Sequence, residues 1–322
     1  MLYTFEMSEK KHSYIPGVIC HALPEISSEQ WKWHFRKLFM ILASAIILYA
    51  GNGCTEIIEL ELESVSRRLV VDGMVMSDQK MHYVRLTESV SFFNDSASPP
   101  VSGADVFLSD GEKIERLVES GELPGFYISS GEIVGEPGKT YFLSISGVDI
   151  DDDGVEESYS ARSFLPPVPA PDSIEMVYDE GWEIWKVLLY AGDNPETDDF
   201  YLFRVYKNGS LMSDNLSEFS IVSDKFFDGG TADGVWIQSI DAGSNKDLFE
   251  PDDVITLQMC GITEEYYRFV ESVQRENRRR YPLFSGPPAN AKGNVTNGAL
   301  GFFTAFSAKY ASYRFTEDDL VQ

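Results

Sequence analysis

The stretch Gly135-Glu136-Pro137-Gly138-Lys139-Thr140-Tyr141-Phe142-Leu143-Ser144-Ile145 decides the fold. Its glycines permit a tight turn, because a residue without a Cβ reaches backbone conformations that other residues avoid. Tyr141 follows the turn at a position where its ring can fill the corner of a β-sandwich. We therefore expect a turn that leads into a strand over residues 141–146.

Two upstream segments extend this pattern. Val101-Ser102-Gly103-Ala104-Asp105-Val106 reads as a strand, and Gly125-Phe126-Tyr127 pairs a turn glycine with aromatic residues. Together with residues 135–145, they resemble the small prealbumin-like or immunoglobulin-like sandwiches. This resemblance implies that the first part of the chain is a sandwich of that type.

The rest of the chain also consists mainly of short apolar runs separated by glycine, proline, asparagine or aspartate, as in residues 69–73 and 83–86. Such spacing is typical of all-β sandwiches or barrels. One interruption is different, since residues 165–171 contain four prolines, which cannot continue a β-ladder. We predict two tandem β-sandwich-like domains, residues 54–165 and 173–322, joined by a Pro-rich linker at 166–172.

One helix is expected in the second domain, near residues 263–279. Thr263 can cap its N-terminus, and Glu264 and Glu265 suit the positive end of the helix dipole. A stripe of residues then follows at helical spacing, made of Tyr267, Val270, Val273 and Gln274.

The first 53 residues have the features of a leader. An uncharged apolar run from Leu38 to Ala50 follows a basic flank, and it is too short to span a bilayer but suits a signal peptide. Small residues then precede Cys54, as at a lipoprotein processing site, so we expect lipidation of Cys54. An ordinary signal peptide with an incidental cysteine is the alternative. Residues 1–30 do not resemble the start of a signal peptide, and we expect translation to begin near Met40 or slightly before it.

Acidic residues dominate the part of the chain that follows Cys54. The formal net charge is -26, and the acid excess lies after the leader. Such a surface repels phosphate backbones, so nucleic-acid binding is disfavoured and cationic partners are favoured. Histidine is scarce, because only His82 follows Cys54. This scarcity argues against zinc sites and nucleophilic triads, and we predict that the protein is not an enzyme.

Several motifs beyond Cys54 resemble a known family. They are Leu-Val-Val-Asp-Gly at 69–73, Gly-Ala-x-Val at 103–106, Asp-Asn-Pro-Glu…Phe-Tyr at 193–201, Phe-Asp-Gly at 227–229 and the glycine-rich run at 293–303. Together they are similar to the Bacteroidota lipoprotein family catalogued as domain of unknown function number 4249. That family has no assigned reaction, and the resemblance implies a protein that accompanies a TonB-dependent outer-membrane receptor. The acidic residues directly after Cys54 resemble the surface-export signal of such lipoproteins, which implies the outer face of the outer membrane.

One loop carries the front half of a calcium-binding pattern. Asp149, Asp151 and Asp153 occupy positions one, three and five, Gly154 occupies position six and Glu157 position nine. The twelfth position is a serine instead of the usual glutamate. The pattern favours an ion-free acidic hairpin tip, with a weak Ca²⁺ site formed by these four acids as the alternative.

Other candidate groups have a structural and a functional interpretation. The aromatic residues Trp182, Trp185, Trp236, Phe226 and Phe227 could stack on a glycan or peptide, although most such residues in a sandwich belong to the core. Acid clusters at 193–199 and 250–253 could hydrolyse glycosides, but exposed turns are the favoured interpretation. The basic run at 278–280 suits the end of a helix.

From these features we expect a surface lipoprotein that acts as a binding or accessory component in nutrient uptake, with the outer membrane and a TonB-dependent receptor as partners and no required cofactor. A structural or adhesive cell-surface protein is the alternative, and a glycan hydrolase is a third class.

Overall fold

The computed structural model describes residues 32–33, 36–42, 44, 67–90, 97–192, 197–223, 231–241, 248–277 and 290–320. The chain divides into two compact units, Met1–Glu63 and Ser64–Gln322. In the first unit, residues 36–42 are helical. Across the described parts of the chain, every helix is too short or too polar to cross a membrane. Cys54 lies outside the described residues.

The second unit is built mainly from β-strands, which confirms the predicted all-β class. In chain order the strands are β1 (Leu69–Met76), β2 (Tyr83–Glu88), β3 (Asp105–Ser109), β4 (Ile114–Arg116), β5 (Val118–Glu119), β6 (Phe126–Ile128), β7 (Thr140–Val148), β8 (Glu157–Phe164), β9 (Ser173–Asp179), β10 (Ile184–Gly192), β11 (Phe200–Lys207), β12 (Ser210–Leu211), β13 (Ser220–Ser223), β14 (Thr231–Asp241), β15 (Val254–Ile262) and β16 (Leu300–Arg314). Helix α1 (Glu264–Asn277) lies between β15 and β16, and 3₁₀ turns occupy Leu216–Glu218 and Asp318–Leu320.

The largest sheet has nine strands in the order β12-β11-β15-β16-β1-β2-β6-β5, with β13 also paired to β11. The long strand β16 joins its two halves. Residues 300–306 of β16 pair in parallel with β1, and residues 307–314 pair antiparallel with β15. One sheet therefore contains strands from both sides of the proline-rich segment.

Two smaller sheets cover opposite ends of this large sheet and create two apolar cores. The sheet β4-β3-β7-β8 shares a core with β1, β2 and the first half of β16, where Phe303 and Ala305 are buried. The sheet β14-β10-β9 shares a second core with β11 and β15. Alternating buried and exposed side chains, as along β8, make this layered packing possible.

The proline-rich segment lies against the large sheet. Leu165 is buried in the first core and Val168 in the second. Ser307 donates a hydrogen bond of 2.6 Å to the carbonyl oxygen of Pro166. Gly261 permits the close approach of Pro167, because a Cβ on Gly261 would lie 2.7 Å from the Pro167 carbonyl oxygen.

Tyr141 fills a corner of the first core, as expected. The residue is fully buried, and its hydroxyl donates to the carbonyl oxygen of Val134 at 2.7 Å. The same hydroxyl accepts from the backbone N–H of Glu136 at 2.7 Å. Tyr127 makes an equivalent pair of bonds, which join Val101 to Ala104. The two phenols thereby satisfy backbone groups that no strand partner reaches.

Helix α1 begins after Thr263, whose hydroxyl accepts from the backbone N–H of Tyr266 at 3.2 Å. This agrees with the predicted cap. The buried face differs by one residue, because Tyr266 and Val270 are buried whereas Tyr267 is half-buried. The helix packs on the face of the large sheet that points away from the two sandwich cores. The basic run at 278–280 lies outside the described residues.

Candidate ligand-binding cavity

A cavity of about 380 Å³ lies between this face of the large sheet, helix α1 and the 3₁₀ turn Leu216–Glu218. Cavities of a few hundred Å³ are the size that small-molecule ligands occupy. Most lining side chains are apolar or aromatic, and five strands contribute to the wall. The lining residues are Val70, Val71, Asp72, Met74, Tyr83, Arg204, Leu211, Asp214, Leu216, Phe219, Tyr266, Phe269, Gly301, Phe302 and Thr304.

Arg204 supplies a positive charge to the wall of the cavity. Its guanidinium lies 5.1 Å from the ring centroid of Phe219 and 5.4 Å from that of Phe306. Cation–π attraction to both rings fixes the position of the charge. No carboxylate of the described residues forms an ion pair with Arg204, and its Nε is buried without a hydrogen-bond partner. A charged group in this state attracts an anion, because a partner would offset its desolvation.

Asp72 and Tyr83 lie in the same wall, on β1 and β2. Burial raises the pKa of Asp72, and the positive charges of Arg85 and Arg204 offset part of this rise. Although protein atoms crowd the Asp72 carboxylate, its side chain remains accessible to water. Burial, together with the negative charge of Asp72, raises the pKa of Tyr83 to about 12. The Tyr83 hydroxyl therefore keeps its proton at neutral pH and can donate it in a hydrogen bond.

Thr304 adds a second unpaired group to the lining. Only 2% of the residue is exposed, and its Oγ1 has no hydrogen-bond partner. Buried hydroxyls in proteins are nearly always bonded, since an unpaired one costs free energy. An orphan polar atom beside a cavity is an expected feature of a site whose occupant supplies the missing partner.

A smaller cavity of about 260 Å³ meets the first one at Arg204 and Phe219. Its lining includes Gln238, whose Nε2 donates to the carbonyl oxygen of Glu218 at 3.2 Å while its Oε1 is buried and unpaired. In the described parts of the chain, five buried side-chain atoms lack a partner, and three of them belong to residues that line these two cavities. The concentration of unpaired atoms distinguishes this region from the rest of the molecule.

A network of hydrogen bonds lies on the strands β11, β15 and β16 near Arg204. Tyr206, two residues after Arg204 on β11, donates its hydroxyl proton to Oε1 of Gln258 at 3.1 Å. Nε2 of Gln258 donates to the hydroxyl of Tyr310 at 2.7 Å, and that hydroxyl donates to Asp78. These bonds fix the wall that carries Arg204.

The loop with the calcium-like pattern brings together three of its four acids. Oxygen atoms of Asp149, Asp151 and Asp153 lie within 4.8 Å of one another, a grouping that could hold a hard cation such as Ca²⁺. Glu157 is used differently, because it accepts a hydrogen bond of 3.2 Å from the backbone N–H of Ile150. Asp149 also accepts from the backbone N–H groups of Asp153 and Gly154, at 3.1 and 2.9 Å. The loop is therefore closed by its own hydrogen bonds.

The aromatic candidates separate into core and surface. Trp185 is buried in the second core, whereas Trp182 and Trp236 are 70% and 43% exposed. The rings of Trp182 and Trp236 meet edge to face at 5.9 Å, and Lys186 lies 4.6 Å over the Trp236 ring. We call Trp182 and Trp236 the exposed tryptophan pair. Phe226 and Phe227 lie outside the described residues.

Asp253 and His82, two further candidate residues that the structure describes, have structural roles. Asp253 accepts hydrogen bonds from Asn208 and from the backbone N–H of Glu250, which closes a turn. His82 is buried, and its Nδ1 accepts from the backbone N–H of Met76 at 3.4 Å. Burial lowers its pKa. Asp193 and Glu196 lie outside the described residues.

The sequence-based predictions missed the cavity residues Asp72, Arg204 and Thr304. A signal for two of them was present, because Asp72 and Arg204 are charged residues in the middle of the mainly apolar strands Leu69–Met76 and Phe200–Lys207. A charge at such a position is rare unless it has a partner or a function.

Comparison with known families gives one match. Residues 55–311 match the family model described as Domain of unknown function (DUF4249). The matched range contains every residue that lines the two cavities. The comparison with curated proteins found no match.

Proposed function

The chain belongs to the family described as Domain of unknown function (DUF4249), and from this premise we propose that it is a non-enzymatic binding protein of the outer membrane. In this proposal a lipid on Cys54 anchors the protein at the cell surface. Its folded part captures a small molecule and passes it to a TonB-dependent receptor.

The cavity around Arg204 carries this proposal. It combines an apolar wall with a few polar groups in fixed positions, which is the usual composition of a small-molecule site. The unpaired atoms of Arg204 and Thr304 offer hydrogen bonds that no neighbouring side chain uses. A bound molecule that made these bonds would gain free energy from them.

The chemistry of the lining favours binding over catalysis. Arg204 keeps its charge at neutral pH, and Tyr83, with a pKa of about 12, keeps its proton. General acid–base catalysis works best when the pKa of the catalytic group lies near the working pH. Fixed donors and a fixed charge are instead suited to recognition.

The proposed location is supported by the leader and by the charge of the chain. The apolar run before Cys54 has the length of a signal peptide, and the acidic excess follows that cysteine. A formal charge of -26 favours contact with a cationic surface, which on a receptor could form the docking face.

Co-purification tests the proposed partnership. The full chain with a C-terminal tag is recovered from detergent-solubilised outer membranes, and a TonB-dependent receptor is expected with it. Cys54→Ala serves as the control, since loss of the lipid should remove the protein from the membrane fraction. Recovery of the lipidated chain without any receptor would contradict the partnership.

A structural or adhesive role is the second candidate, and the exposed tryptophan pair favours it. Aromatic rings at the surface are common at protein interfaces. Under this alternative, a deletion strain loses surface attachment while its growth on nutrients stays unchanged.

A further inference from the structure

We propose that the occupant of the cavity is a small organic carboxylate with an apolar body, held through its carboxylate by Arg204. This inference rests on the proposed binding function and adds the chemical class of the ligand. It follows from the charge of the wall, from its aromatic surface and from its unpaired atoms.

The charge near the inner wall favours an anion. Two guanidinium groups, Arg85 and Arg204, act on the single carboxylate of Asp72. Asp72 and Asp214, the two acids of the lining, are both exposed to solvent, where their charges are screened. Arg204 is therefore a cation of the lining whose buried Nε has no hydrogen-bond partner, and a bound anion can supply that partner.

The remaining wall favours an apolar body. Phe302 lies at its centre, with ring centroids 5.1 Å from those of both Tyr266 and Phe269. Phe219 stacks on Arg204 at the junction of the two cavities. A flat or aliphatic group between these rings would bury apolar surface on several sides.

The unpaired atoms favour an oxygen acceptor. Nε of Arg204 is a donor, and a guanidinium can bind both oxygens of one carboxylate through parallel hydrogen bonds. The hydroxyl of Thr304 can donate as well. A carboxylate accepts from both groups, whereas an ammonium group could bond only to the Thr304 hydroxyl and would be repelled by the guanidinium of Arg204.

Calorimetric titration of the full chain in detergent compares an acid with its neutral amide of nearly equal shape. The probes are 3-phenylpropionate and 3-phenylpropanamide, together with octanoate and octanamide. We expect each acid to bind at least about tenfold more tightly than its amide, the factor typical of a hydrogen bond to a charged group. Arg204→Met should abolish this preference, and Arg162→Met, which removes an exposed guanidinium on β8, should retain it.

The comparison on the unaltered protein needs no variant, so it remains decisive even if Arg204→Met folds poorly. Equal affinity for acid and amide, or no binding of either acid, would overturn the inference. The receptor experiment is independent of this one. A recovered receptor without acid binding leaves the proposed partnership standing, and acid binding without a receptor leaves the ligand class standing.

Discussion

Gly301 on the last strand lies directly against the carbonyl oxygen of Val71, its register partner on the first strand. The φ angle of Gly301 is +86°, in the region that favours glycine. A Cβ at Gly301 would collide with that carbonyl group. The parallel pairing of β1 with β16 depends on this contact. Both strands line the cavity, so this part of the cavity wall depends on the contact as well.

Gly301→Ala should lower the free energy of unfolding by about 3 kcal/mol, because the strain of a positive φ adds to a backbone clash. Urea denaturation followed by circular dichroism measures the change. Gly298→Ala is the matched control, since Gly298 also has a positive φ of +73° but open space around it. That control should lose only about 1 kcal/mol. Equal losses in the two variants would contradict the importance of the contact with Val71.

Thr304→Val should raise the free energy of unfolding by about 1 kcal/mol, since it removes a buried hydroxyl without a partner and conserves the shape of the side chain. Thermal unfolding measured by calorimetry detects the shift. Thr256→Val is the control, because the Thr256 hydroxyl lies 2.9 Å from that of Ser312 in a hydrogen bond. A loss of stability in Thr304→Val would show that its hydroxyl has a partner.

Substitution of a buried and of an exposed tryptophan should have different effects on the free energy of unfolding. Trp185 packs edge to face on Phe249 and Phe315, at 5.5 and 5.1 Å, inside the second core. Trp185→Ala should therefore cost about 3 to 5 kcal/mol of the free energy of unfolding. Trp182→Ala removes an exposed ring and should change stability by less than about 0.5 kcal/mol. Chemical denaturation of both variants tests this ranking, and similar losses would refute it.

Asp253 should contribute to the pH dependence of stability. Burial opposes ionisation of this carboxyl, but hydrogen bonds from Lys207, Asn208 and the Glu250 backbone outweigh it and lower its pKa from 3.8 to about 2. Because this pKa is lower in the folded state than in the unfolded chain, Asp253 stabilises the protein at pH values above its pKa in the unfolded chain. This contribution is lost as the pH falls toward about 2.

Asp253→Asn should therefore be less stable than the parent at about pH 6, and the gap should narrow at about pH 2.5. Melting temperatures at the two pH values measure the gap. Asp252→Asn is the control, because the Asp252 side chain is 87% exposed and that of Asp253 only 12%. A gap that is independent of pH would exclude the lowered pKa.

Several features of the fold could be predicted because local residues determine them. Tyr141 fills its corner with partners only five and seven residues away. Thr263 caps α1 through a bond to Tyr266, three residues later. Val270 was predicted correctly on the buried face of α1, but Tyr267 was predicted there instead of Tyr266, since both are aromatic and the sheet beneath the helix decides which one packs inward.

The sequence by itself determined the all-β class, the short strands with their turns, the helix cap and the family resemblance. Each of these depends on hydropathy, turn residues or hydrogen bonds within a few positions of the chain. The order of the strands and the cavity are instead decided by contacts between residues that are distant in sequence. Period-two alternation shows which side chains share a face of a strand, but it does not identify the neighbouring strand.

Only the tertiary structure placed β16 beside β1, about 230 residues earlier in the chain. That pairing brings Asp72 and Thr304 to one wall, and the order of the large sheet adds Arg204 from β11. A hydrogen bond that is missing can be recognised only when all the neighbours of an atom are known. The cavity and its unpaired groups are therefore properties of the assembled sheet, whereas the strands that form it can be recognised in the sequence.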